Sequence, residues 1–172
     1  MGRDGFGRLF DCARGGRCFR LAPNGDRPLG CVGGQAAEQL LSEIAGQGLA
    51  ASLAITNASG SWEPSDTPLV ARQAGADLVL SGRAYFVQDA FKVGVLLASA
   101  RLGDDLVLCA VRFGATGLSL EQDHIHDLTR DQATVHFDDV RVGESAILSR
   151  NAADAIAATW PALLTLVAAD LC

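Results

Sequence analysis

The stretch that decides the fold is Val93-Gly-Val-Leu-Leu-Ala-Ser-Ala100, followed by Arg101-Leu-Gly-Asp-Asp105 and Leu106-Val-Leu-Cys-Ala-Val-Arg-Phe113. Two apolar runs flank a polar, Gly-containing turn. Each run is too short for a typical helix and matches a buried strand, and Leu-Gly-Asp-Asp between them signals a hairpin. Working outward, Leu49–Thr56 is apolar and strand-like. Leu69–Gln73, Asp77–Leu80 and Ala84–Val87 read as short strands punctuated by Gly75 and Gly82. On the other side, Gly114 and Gly117 mark a turn before a short Leu118–Leu120 strand. Thr134, His136 and Asp138 then alternate with Val135, Phe137 and Asp139, and the run closes in Val140-Arg141-Val142. Strands of this length and spacing predict a mainly β chain, an antiparallel barrel or sandwich.

Helical periods flank the β region. In Gln35–Ile44, Ala36, Leu40, Leu41 and Ile44 fall on one apolar stripe, and Gly46 and Gly48 end it. From Asn151, a candidate N-cap, the period returns to helical, with Ala155, Ala158, Ala162, Thr165, Leu166 and Ala169 on or beside one stripe and Pro161 as a kink. The sequence stops at Cys172 inside this period without a capping signal, which predicts a helix that continues in a longer protein. Residues 1–34 are Gly- and Arg-rich without an apolar period and predict a poorly ordered segment. The organisation expected is therefore this segment, the end of a helical unit at 35–48, a β-domain at 49–150, and the first helix of a further unit at 151–172.

Composition narrows the function classes. The chain has 172 residues, 49% hydrophobic, with a net charge of −6. That length buries one sizeable core, and the negative balance argues against a nucleic-acid surface. No run approaches the ~20 apolar residues of a membrane span. The closest, Ala152–Cys172, is broken by Asp154, Trp160, Pro161 and Asp170. Cys12, Cys18, Cys31, Cys109 and Cys172 are odd in number and lack C-x-x-C spacing, which argues against zinc and a disulfide framework and fits a reducing cytoplasm.

Isolated constellations are weak. His124-Ile-His126 could face one side of a strand and bind metal, but solvated loop histidines are the simpler reading. Cys109 reads as a small core residue and not a nucleophile. Ser59 and Ser61 lack a triad histidine, Asp104, Asp105, Asp138 and Asp139 read as turn and surface charges, and Gly2–Gly7 lacks the strand and helix of a phosphate loop.

Three phrases in order carry a family resemblance. Leu41–Thr56 is similar to the helix-to-strand junction of acyl-CoA dehydrogenases that ends in A-(L/V)-T. Leu80-Ser-Gly-Arg-Ala-Tyr-Phe-Val87 resembles their L-x-G-x-K-x-(W/F)-(I/V) strand. Asp127–Val142 resembles their R-x-x-x-x-V-x-F-D-x-V-x-V stretch, and Ala146-Ile-Leu148 follows as the entry to their C-terminal helices. The resemblance runs from about Gln35 to Cys172.

The resemblance implies flavin adenine dinucleotide as cofactor and α,β-dehydrogenation of an acyl-CoA thioester, within lipid breakdown. The flavin-contacting candidates it implies are Leu53, Ile55, Thr56 and Asn57 at the first strand end, and Phe86, Val87 and Gln88 on the second phrase. Ser61 and Trp62 are the substrate-side candidates. A cytoplasmic homo- or hetero-oligomer with a related subunit is the implied assembly. The family's carboxylate base lies in the C-terminal helical domain, so no catalytic residue is assigned in this chain. The sequence also departs from the pattern. Gln88 stands where a cofactor-bonding Thr or Ser is common, and Asn57-Ala-Ser-Gly-Ser-Trp-Glu-Pro-Ser-Asp66 replaces a tighter Glu-Pro-Gly turn. Those departures keep a second expectation open: a non-catalytic or truncated member acting as a partner subunit or having no activity of its own.

Overall fold

The computed structural model describes residues 35–126, 131–154, 156 and 157. Helix α1 (Gln35–Gln47) is followed by eight strands: β1 (Ala51–Ala54), β2 (Leu69–Ala74), β3 (Asp77–Gln88), β4 (Val95–Leu102), β5 (Asp105–Arg112), β6 (Leu118–Gln122), β7 (Gln132–Val142) and β8 (Ile147–Ser149). The strands form one mixed sheet in the order β6-β7-β3-β2-β4-β5-β8, with β1 on β4. The mainly β expectation stands. Most pairings are antiparallel, but β1 and β2 both run parallel to β4.

The hairpin expected around Gly103 is present. β4 and β5 pair from Val95–Arg112 to Leu102–Asp105, and Gly103 takes φ +61° in the turn. Both strands are buried on both faces, which explains their unbroken apolar runs. Leu96, Ala98, Ala100, Val107, Cys109 and Val111 point into the curl of the sheet, where they meet Leu69, Leu80, Val135 and Val140. The alternate residues Val95, Leu97, Leu106, Leu108 and Ala110 point the other way, to a second core under α1 and Ala152 and Ile156. The helix therefore exists to cover a sheet face. Its buried residues are Ala37, Leu40 and Ile44, one turn apart, with Ala36 and Leu41 at the margin of the expected stripe. Gly48, at φ +68°, follows the helix end, while Gly46 stays helical.

The sheet departs from the expected pattern at two β-bulges. Leu80 pairs Val140 and Gly82 pairs Phe137, so β7 carries one residue more than β3 across that interval. Asp138 and Asp139 are consequently both exposed between buried Phe137 and Val140, with Asp139 at φ +52°. Strict alternation would have put Asp139 on the face of Val135 and Phe137, and the bulge corrects that expectation. Gly82 does not separate two strands either. β3 runs through it at φ +132°, where an added Cβ would lie 2.7 Å from the Pro68 carbonyl oxygen.

The expectations for 1–34 with Cys12, Cys18 and Cys31, for the 127–130 part of the third family phrase, and for the helical stripe at 155 and from 158 to Cys172 lie outside the described residues. Asn151 directly precedes helical residues from Ala152, and its side-chain amide donates to Asp154 at 2.8 Å.

Candidate functional site

The site is built where β1 and β2 share one edge of β4. β1 pairs Val95 to Ala98 and β2 pairs Ala100 and Arg101, leaving Ser99 between them. The chain from Ile55 to Pro68 leaves the sheet in that gap. It is fastened there by the Thr67 hydroxyl, 2.9 Å from the Ser99 carbonyl oxygen and 2.6 Å from the Ser99 hydroxyl, and by the Arg101 guanidinium on the Ser65 carbonyl. Two serines in otherwise apolar strands thus do structural work: Ser99 is fully buried, and the Ser52 hydroxyl donates to the Gln88 carbonyl at 2.6 Å.

That second bond draws the end of β3 against β1. The Tyr85 N–H donates to the Thr56 carbonyl at 2.9 Å, so the two lines of flavin-contacting candidates lie side by side in opposite directions. Leu53 is half-buried against the α1 side of the sheet, and Ile55 and Thr56 are buried.

The second bulge sits at this point. Ala84 pairs Val135 and Val87 pairs Ala133, so Tyr85 and Phe86 together face a single β7 residue. Ala84 and Val87 are both buried, and the extra residue turns both aromatic side chains away from the core. Phe86 is 44% exposed and has φ +56°, a left-handed conformation that costs a non-glycine residue roughly 1–2 kcal/mol. Strain of this sort, held by its surroundings around an exposed aromatic, clusters at functional sites. Tyr85 packs beside it, ring centroids 6.3 Å apart and tilted by 46°.

The other candidates fall into clear classes. Val87 has its side chain in the core, so only its backbone faces the site. Gln88 is half-buried and its carbonyl is taken by Ser52. Asn57 organises the loop: its Oδ1 accepts from the Ser59 N–H at 2.9 Å, the Ser59 hydroxyl at 2.7 Å and the Ser61 N–H at 3.0 Å. The Ser61 hydroxyl donates to Asp66 at 2.7 Å, and Trp62 is 42% exposed on the same loop. These polar groups are committed to the loop itself. The sequence reading missed Ser52, Ser99, Thr67 and Tyr85. A serine at a β-strand position among apolar neighbours was the available signal for the first two.

His124 and His126 lie beyond the end of β6 and are exposed, and the described residues contain no group of three or more metal-ligating side chains. Cys109 is buried, and burial pushes its thiol up from 9.0 to about 12, with the Arg150 charge opposing weakly. It cannot be a thiolate nucleophile near neutral pH.

A curled sheet with an inward core, a helix-covered outer face and an aromatic displayed at a bulge beside a strand end is a fold this chain shares with part of solved acyl-CoA dehydrogenases. A glutaryl-CoA dehydrogenase from Mycobacterium smegmatis in complex with FADH2 superposes with a TM-score of 0.65 at 17% identity, over 74% of this chain and 34% of that one. The ChsE4-ChsE5 complex from Mycobacterium tuberculosis matches at 0.64 and 17%, over 74% and 35%. Butyryl-CoA dehydrogenase from Megasphaera elsdenii matches at 0.60 and 14%, over 67% and 32%. The chain thus spans about a third of the length of the solved proteins whose fold it shares. No protein-family model and no curated protein matches the sequence. No described helix is long and apolar enough to cross a membrane.

Proposed function

We propose that this chain is the flavin-holding β-domain of an FAD-dependent oxidoreductase acting on acyl-CoA thioesters. The single observation that carries the reading is Phe86: an exposed aromatic in a strained conformation, set by a bulge beside the Thr56 strand end. A flat apolar ring system is the ligand such a surface suits. Thr56 and Ile55 would supply backbone and hydroxyl groups to the cofactor's polar parts, Phe86 would offer it a flat apolar surface, and the backbone of Val87 and Gln88 would continue the ledge. These residues fit the group. Bound there, the flavin supplies hydride acceptance.

What the chain's own residues do is hold and exclude. The Ser52–Gln88 and Tyr85–Thr56 hydrogen bonds fix the two walls relative to each other. The Asn57–Asp66 loop, with Trp62, closes the substrate side. Proton abstraction from the carbon α to the thioester needs a carboxylate base, which the resemblance puts outside this chain. The acyl-CoA is therefore handled in the full-length protein or with a related subunit, in a homo- or hetero-oligomer, as part of lipid metabolism in the cytoplasm.

A second reading has a specific observation behind it. Ser61 and Asn57 are spent on the loop, Trp62 is bulky, and Gln88 replaces a hydroxyl. This combination suits a non-catalytic subunit paired with a competent relative. Titration of the chain with FAD separates the two: saturable binding that Phe86→Ala weakens supports the first, and no binding together with capture of a related subunit supports the second.

A further inference from the structure

The ledge that carries Phe86 contains a second non-glycine residue in the left-handed region three positions on, Asp89 at φ +51°. Two such residues so close need something to hold them. Past Asp89 the chain meets Lys92, the only lysine in the sequence. Its ammonium lies 3.0 Å from Asp89 Oδ1 and 2.7 Å from Asp131 Oδ2. The two backbones are tied as well: the Asp89 N–H donates to the Asp131 carbonyl at 3.2 Å, and the Lys92 N–H to the Asp89 carbonyl at 2.8 Å.

We propose that Lys92 is a positioning residue for the flavin ledge, its ammonium clamping Asp89 to Asp131 so that the Tyr85–Phe86 bulge keeps its shape. This rests on the flavin reading for its consequence, though the clamp itself does not. The carboxylates are the reason the clamp matters. The Asp131 side chain is only 18% exposed and that of Asp89 25%, so without the cation two half-buried carboxylates are left with no positive partner between them. Asp131 Oδ1 is itself buried with no hydrogen-bond partner among the described residues, so Oδ2 and Lys92 carry that carboxylate's pairing. The groups nearby lie on three elements: Asp89 and Lys92 in the turn after β3, Asp131 before β7, and Asp123 after β6. Asp123 accepts from Thr134 at 3.0 Å, and its N–H donates to the Gln132 carbonyl at 3.0 Å. No second described cation is paired with this acidic group, so an uncharged residue at 92 would leave it uncompensated.

The αL strain at Phe86 is resisted from both sides: Tyr85 is held to Thr56, and Val87 and Gln88 pair with Ala133 and Gln132 as far as the Asp89–Asp131 tie that closes this end of the β3–β7 ladder. Loosening that closing tie lets the ladder fray back from Asp89 towards Phe86, which gives the ring room to turn.

The experiment uses the whole chain with Lys92→Met, which keeps the stem and removes the charge, and Lys92→Arg, which restores it. Amide hydrogen exchange of peptides covering 84–89 and a titration with FAD are read together. The expected result is faster exchange confined to 84–89 and 131–134, flavin affinity down by about five-fold, and recovery of both in Lys92→Arg. Unchanged exchange in Lys92→Met overturns the clamp. So does exchange that speeds up equally across β4 and β5, which marks general destabilisation, and so does failure of Arg to restore it. If the unsubstituted chain binds no FAD but the local, Arg-rescued exchange change appears, the clamp stands and the flavin reading falls.

Discussion

At Phe86, stability and binding are expected to pull apart. The left-handed φ penalises any side chain, so Phe86→Gly removes roughly 1–2 kcal/mol of strain while adding about 0.5–1 kcal/mol of unfolded-chain freedom. Thermal unfolding of Phe86→Gly should therefore be unchanged or slightly raised. Phe86→Ala keeps the strain and loses the contact with Tyr85, and should be less stable than Phe86→Gly. Both variants should lose FAD affinity by about ten-fold, the scale of one aromatic stacking contact. Urea titration beside flavin titration checks the pair. Cys109 gives a second test at this scale. Its folded thiol value, about 12, lies above the ordinary 9.0, so the protonated form is favoured by folding. That contribution is full below pH 9 and is lost as the pH rises from there through the folded value. Cys109→Ala should flatten the decline in stability across that alkaline window. In the folded chain Cys109 should also resist thiol labelling at pH 8, checked by peptide mass mapping.

The elements explain which parts of the sequence were readable. The β4–β5 hairpin was legible because its apolar runs and Gly103 turn both point to one structure. α1 was legible for the same reason, its apolar stripe matching the buried Ala37, Leu40 and Ile44 within one position. The bulges were not. Each inserts a residue without a local sequence mark, so alternation read through Asp138-Asp139 or through Tyr85-Phe86 puts one side chain on the wrong face. Phe86 was found through the family phrase and not through periodicity, and period-2 reasoning alone would have buried it. The parallel placement of β1 and β2 along β4 was also out of reach, because it depends on a long-range pairing that no local pattern encodes. The β5–β6 turn yields a sharp expectation. Gly117 has φ +84°, and a Cβ there would lie 2.1 Å from the Asp138 carbonyl oxygen, next to the Asp138 N–H bond to the Gly117 carbonyl. Gly117→Ala should cost at least about 2 kcal/mol in denaturant unfolding, whereas Gly60→Ala, at φ +81° in open space, should cost only about 1 kcal/mol.

On the scale of the molecule, one hairpin serves two cores. β4 and β5 send Leu96, Val107 and Cys109 into the curl of the sheet and Val95, Leu97 and Leu108 to the face under α1. Leu96→Ala should cost about 2–5 kcal/mol, a large part of a typical domain stability, and unfold both layers together in one denaturant transition. The Arg112–Glu43 ion pair at 2.5 Å links α1 to the end of β5, but its exposed arginine limits it to well under about 1 kcal/mol. It is the apolar face, not the ion pair, that seats the helix. This shared scaffold holds β1, β3 and the 55–68 loop in register, and the ledge carrying Phe86 is the feature on it for which flavin binding is proposed. The most direct measurement is the absorbance spectrum of the purified chain after incubation with FAD and desalting. Flavin bands that remain, and that Phe86→Ala strips away, are the expected result. A colourless chain, with a flat titration for both proteins, would contradict the claim that Thr56 and Phe86 form a flavin cradle.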